Sequence, residues 1–115
     1  MSNQATHIET LEPAEVSRLL ESGQALLIDV REPAEYAAER IKGALLYPLS
    51  TFDAAFLPTD GTRRVVLHCA GGRRSLAAAE KQVAAHHPRV AHMGGGIAAW
   101  KSAGLPVIVA SAAGH

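Results

Sequence analysis

The chain has 115 residues, the size of one domain. Folding a chain of this length buries roughly two-thirds of its unfolded surface, enough for a core without disulfide or metal staples. Hydrophobic residues make up 48% and charged residues 19%, which excludes an intrinsically disordered chain. Lys plus Arg and Asp plus Glu both count 11, so the net charge is zero, which argues against nucleic acid or an anionic membrane as partner. The one cysteine, Cys69, forms no internal disulfide, so the fold does not depend on an oxidising compartment. The first residues, with His7 and Glu9, do not read as a secretory signal, and no stretch approaches the ~18 apolar residues of a membrane span. The expectation is one cytoplasmic domain over residues 1–115, with its core at about 6–109.

In chain order, residues 6–9 suggest a short strand. Residues 13–21 predict a helix: Pro13 suits its first turn, Val16, Leu19 and Leu20 share a face, and Gly23 stops it. The apolar run 25–30 predicts a strand buried on both faces. Pro33 starts a second helix over 33–40. A short strand follows over 44–47, and then a helical turn over 50–56 with Ser50 as its N-cap. Residues 64–68 form the clearest strand, broken by Gly71 and Gly72. Ser75 opens a strong helix over 76–85, ended by Pro88. Residues 90–93 predict a last strand and 97–102 a last helix, stopped by Gly104 and Pro106. Residues 107–109 add a short extended piece, and 111–115 are expected to fray. Alternating strands and helices predict an α/β fold on a mainly parallel sheet.

In such sheets, ligands bind beyond the carboxyl ends of the strands. Three segments fall there: Asp29 to Glu32, His68 to Ser75, and Gly94 to Gly96. The middle one holds Cys69 between a strand end and a helix start. A helix start offers free N–H groups and a positive dipole end, and a glycine-rich turn lets amides converge on an anion. Arg73 and Arg74 add positive charge. Together these favour thiolate over thiol and make Cys69 a nucleophile in an anion-binding pocket. A lone cysteine after an apolar strand is otherwise most often a small buried hydrophobe, and Gly71-Gly72 also suits an ordinary turn. The Gly-Gly-Arg-Arg-Ser context favours the reactive reading. Six histidines show no metal-ligand spacing with Cys69, so neither a metal nor any other cofactor is expected. The three glycines at 94–96 lack the lysine of a P-loop. Trp100 reads as core, and His86-His87 as a helix end at the surface.

Three segments carry a resemblance to a known family. They are Leu27-Ile28-Asp29-Val30-Arg31-Glu32-Pro33 with Glu35-Tyr36 and Ile41-Lys42-Gly43-Ala44, then Val65-Val66-Leu67-His68-Cys69 with Gly72, Arg74 and Ser75, then Gly94-Gly95 with Trp100, Gly104 and Pro106. In this order and spacing the chain resembles the rhodanese-homology domain in its single-domain sulfurtransferase form, from about Ile8 to Pro106. Two departures are visible. Arg40 stands where the family often has a histidine, and Leu46 and Tyr47 where a small residue and an asparagine are frequent. The resemblance implies a three-layer α/β/α fold with a five-stranded parallel sheet. It also implies that Cys69 accepts a sulfane sulfur cradled by the main chain of Ala70, Gly71, Gly72, Arg73, Arg74 and Ser75, while Asp29 and Arg31 fix the adjoining loop.

The reading that follows is a sulfurtransferase. Cys69 takes sulfur from thiosulfate or a related donor and yields it to cyanide, a thiol or a protein acceptor. Of the two arginines, Arg74 at the motif position is the stronger candidate for contact with the donor. The runner-up is a phosphatase or arsenate reductase of related fold. Those loops place five residues between cysteine and arginine, whereas four separate Cys69 from Arg74. A non-catalytic binding module is a third reading, against which the presence of the cysteine argues.

Overall fold

The computed structural model describes residues 8–58 and 61–110. Strand β1 (Ile8–Leu11) leads to helix α1 (Pro13–Glu21), β2 (Ala25–Asp29), α2 (Pro33–Ala38), β3 (Glu39–Arg40) and β4 (Leu45–Leu46). Two 3-10 turns, Leu49–Thr51 and Ala54–Phe56, precede β5 (Arg64–His68), α3 (Arg73–Ala84), β6 (Val90–Met93), α4 (Gly96–Ser102) and β7 (Ile108–Val109). Five strands form one sheet in the order β1, β6, β5, β2, β4, with every neighbouring pair parallel.

Side-chain alternation along the strands decides which helix covers which face. Leu27, Val66 and Met93 point to a cluster with Val16 of α1 and with Ile97 and Trp100 of α4. Leu26, Ile28, Leu67 and Val90 point the other way, to Ala78 and Ala79 of α3 and to Phe52 and Leu57 by the 3-10 turns. With both faces covered, β2 and β6 are buried at every position, which is why β2 reads as an apolar run up to Asp29 and β6 as one interrupted by His92. The result is a three-layer α/β/α fold. From β2 the chain moves outward to β4, and from β5 outward to β6. The crevice therefore opens between the carboxyl ends of β2 and β5, where Asp29 stands in register with His68.

Several boundaries differ from the expectations, some by a single residue, as at the ends of β2, β4, α4 and β7. Helix α2 stops at Ala38, and Glu39 and Arg40 pair antiparallel with Val109 and Ile108 as a separate two-stranded sheet. Ser50 lies inside the first 3-10 turn and gives its hydroxyl to Glu32 at 3.0 Å, while Asp53 caps the second turn through Ala55 N at 2.9 Å. Strand β1 runs Ile8–Leu11, and residues 6 and 7 of the expected strand lie outside the described residues, as do 111–115. Helix α3 begins at Arg73 rather than beyond Ser75, with Gly72 in the N-cap position. Serine is the better N-cap by propensity, but the sulfur of Cys69 supplies the acceptor that a capping side chain would otherwise provide.

Candidate active site

Cys69 leaves β5 at the crevice, 1% exposed, with its side chain on the α3 face of the sheet. The chain then turns through Ala70, Gly71 and Gly72 into the first turn of α3. Gly72 has φ +108, and a Cβ there would overlap the carbonyl oxygen of Gly94, so only glycine fits. This turn aims the Gly72 N–H at Cys69 Sγ at 3.0 Å and the Ser75 N–H at 3.3 Å. The Ser75 hydroxyl lies 3.6 Å from the same sulfur.

The loop is anchored from below. Ile97 N and Ala98 N of α4 donate to the carbonyls of Cys69 and Ala70 at 2.9 and 3.1 Å. Gly96, at φ +64, permits this approach, since a Cβ there would sit 2.5 Å from both carbonyl oxygens. His68 Nδ1 donates to the Cys69 carbonyl at 3.2 Å, and Val30 N to the His68 carbonyl at 2.9 Å.

The electrostatics favour an anion at Sγ. Burial pushes the Cys69 thiol up, but the Ser75 amide and hydroxyl and the amides of Gly72 and Gly71 outweigh it, so its pKa falls below the ordinary value. Burial lowers the pKa of His68, against the opposing pull of Asp29, whose carboxylate lies 3.5 Å from Nε2. Burial alone lowers that of His92.

The segments expected at the site do meet there, in distinct places. Gly71 and Arg73 are exposed, and Arg73 has no ion pair among the described residues. Arg74 is held by Glu35 of α2 through two bonds of 2.7 and 2.9 Å. Asp29 and Arg31 bond each other, with Nη2 to Oδ2 at 2.8 Å, and the same Nη2 donates to the Glu39 carbonyl at 2.6 Å. They brace the β2–α2 turn against β3 and do not reach the sulfur. Trp100 is core, its indole N–H closed by the Pro106 carbonyl at 2.8 Å.

Two residues of the site were given no role there from the sequence. Glu35 accepts both Arg74 and the Glu32 N–H at 2.9 Å, and these bonds hold its pKa down to about 2. The second is His92, buried on β6, with Nδ1 2.8 Å from the Ser75 hydroxyl. A histidine inside a fully buried strand was the available signal, since buried polar side chains are hydrogen-bonded. Among the described residues, no group of three or more His, Cys, Asp or Glu is placed to hold a metal, and no helix is long and apolar enough to cross a membrane.

Comparison with known proteins agrees with this fold. The rhodanese-like domain family matches residues 12–103. A sulfurtransferase of Allochromatium vinosum is 35% identical over 91 residues, 79% of this chain and 85% of that protein. The thiosulfate sulfurtransferase of Pseudomonas aeruginosa superposes with a TM-score of 0.79 at 28% identity, over 91% of this chain and 21% of that one. A Rhodopseudomonas palustris protein described as a possible tyrosine phosphatase superposes with a TM-score of 0.73 at 27% identity, over 94% and 99% of the two chains. The chain spans about half the length of a Synechocystis relative to which it is 35% identical (86% of this chain, 55% of that protein). By sequence and by fold, the chain belongs to the rhodanese-like domain family.

Proposed function

We propose that the chain is a sulfurtransferase that carries a sulfane sulfur on Cys69, with thiosulfate as a donor. The observation that carries this reading is the convergence of the Gly72 and Ser75 amides on one buried sulfur. The Cys69 thiolate attacks the outer sulfur of thiosulfate, the S–S bond to the sulfonate breaks, and sulfite leaves with the bonding pair. The charge of the resulting persulfide stays within reach of the loop amides and the N-terminus of α3, which favour an anion. Cyanide, a small thiol or a thiol on a protein acceptor then attacks the outer sulfur and restores the Cys69 thiolate. This is two-step covalent catalysis with ping-pong kinetics. Arg73, exposed and without an ion pair among the described residues, is the cation available to the donor's sulfonate, whereas Arg74 is occupied by Glu35. A single catalytic thiol suits a reducing compartment such as the cytoplasm.

The resemblance to a possible tyrosine phosphatase supplies a second reading. Four residues between Cys69 and Arg74, and the pairing of that arginine with Glu35, disfavour it, because the arginine of the motif is then not presented to a phosphoryl group above the sulfur. Intact mass after incubation with thiosulfate, beside turnover of an aryl phosphate, separates the two. The expected result is a gain of one sulfur atom, absent in Cys69→Ala, and no phosphate release. Phosphate release without sulfur loading overturns the proposal in favour of the second reading.

A further inference from the structure

The Ser75 hydroxyl has one proton and three neighbours: His92 Nδ1 at 2.8 Å, the Gly72 carbonyl at 3.2 Å and Cys69 Sγ at 3.6 Å. A carbonyl and a thiolate only accept. His92 Nδ1 either accepts or donates, according to which ring nitrogen carries the proton. If Nδ1 accepts, it is the nearest partner and takes the hydroxyl proton, which then points away from the sulfur. If Nδ1 carries a proton, it donates to Oγ, and the hydroxyl proton is left to the two remaining acceptors, the Gly72 carbonyl and the sulfur, of which a thiolate is the charged one. The state of His92 thus decides whether Ser75 serves Cys69.

We propose that His92 is a positioning residue that acts through Ser75: its Nδ1–H donates to the serine oxygen and directs the hydroxyl proton to the Cys69 sulfur. Three features of the fold support this. Val90 and His92 share the face of β6 that packs on α3, so strand parity alone brings the imidazole under the first turn of that helix. The ring is 5% exposed, and burial disfavours its charged form, so a single proton is distributed between its two nitrogens. Its register neighbours, Thr10 on β1 and Leu67 on β5, bring no charge against it. On α3, the charge of Cys69 helps raise the pKa of Arg74, which Glu35 of α2 holds in place.

The inference rests on Cys69 being the reacting thiol, but its test requires no sulfur donor, so its failure is separable from failure of sulfur loading. The thiol is titrated by alkylation rate against pH in the wild type, His92→Phe, His92→Asn, Ser75→Ala and the double variant His92→Phe/Ser75→Ala. Loss of His92 is expected to raise the midpoint by about one unit, roughly a tenfold loss of thiolate at a fixed pH below it. Ser75→Ala should do the same, and the double variant no more than either alone. His92→Asn, which keeps a side-chain N–H for the hydroxyl, should recover most of the shift. An unchanged midpoint in folded His92→Phe overturns the proposal, and so does the same rise in the Ser75→Ala background. Nitrogen chemical shifts of the wild-type imidazole provide a second measurement that no folding defect affects. A proton on Nδ1 at neutral pH supports the assignment, and a proton confined to Nε2 overturns it.

Discussion

A sulfur atom does the work of a helix cap in this chain. Helix α3 starts on a glycine with no side chain to accept its free N–H groups, and Cys69 Sγ accepts two of them, from Gly72 and Ser75. The same contacts that satisfy the helix depress the thiol pKa, so structural and chemical demands coincide at one atom. Alkylation of Cys69 should therefore titrate below the ordinary cysteine range, and a midpoint at the free value would remove the anion cradle from the argument. Gly72→Ala tests the geometry behind it. A Cβ at φ +108 runs into the Gly94 carbonyl, so the turn must open and the Gly72 amide must leave the sulfur. A loss of about 2 kcal/mol or more of stability is expected in thermal unfolding, together with a rise in the thiol midpoint. Gly71→Ala, which has open space around it, should do neither. The anion-favouring surroundings of Cys69 were legible because a glycine-rich turn and a helix start follow it in sequence. The partnership of Ser75 with His92 was not, because it depends on which face of β6 meets α3.

At the scale of elements, α2 and α3 are tied across the crevice by Glu35. Its carboxylate caps the start of α2 and holds Arg74 of α3. With a folded pKa near 2 against an ordinary 4.5, the bridge contributes stability above pH 4.5 and loses it as pH falls towards 2. About a third of each side chain is exposed, so the contribution is no more than about 1 kcal/mol. His68 and His92 act in a different window. Their folded pKa values lie below 6.5, so stability also falls as pH drops through that value. Glu35→Gln should flatten the acid limb of a stability–pH curve only below pH 4.5 and leave the histidine part in place; a change confined to higher pH would contradict the assignment. The helices and central strands were readable from proline starts, glycine stops and apolar runs. Strand β3 was not, because Glu39 and Arg40 continue a helical pattern and become extended only through Val109 and Ile108, far along the chain. The Glu35–Arg74 bridge was hidden for the same reason: charge pairing at long sequence separation leaves no local signal.

At the scale of the whole molecule, the Cys69 loop and the closing strand pair are held by largely separate contacts. The loop hangs on β5 and is tied to the N-terminus of α4 through Ile97 and Ala98. The C-terminal β7 closes over β3, reinforced by Ala110 N to the Ala38 carbonyl at 2.8 Å and by Lys101 to Glu39 at 2.8 Å. Val107 packs against the α1–α4 side of the core. Among the described residues the two systems meet through α4, which carries Ile97, Ala98 and Lys101, and where Arg31 donates to the Glu39 carbonyl. Removing residues 107–115 while keeping Pro106 spares the carbonyl that closes Trp100 and deletes the partner of β3. Lost burial of Val107 and of the strand pair should cost about 1–3 kcal/mol in denaturant unfolding. The Cys69 alkylation profile should stay where it is, because the described groups that touch the sulfur, on Gly72 and Ser75, are all kept. Unchanged stability would mean that the clasp contributes nothing to the fold. A shifted thiol midpoint in the folded truncation would mean that the cradle depends on the clasp through Arg31 and Asp29, and the separation of frame and site argued from these contacts would not hold.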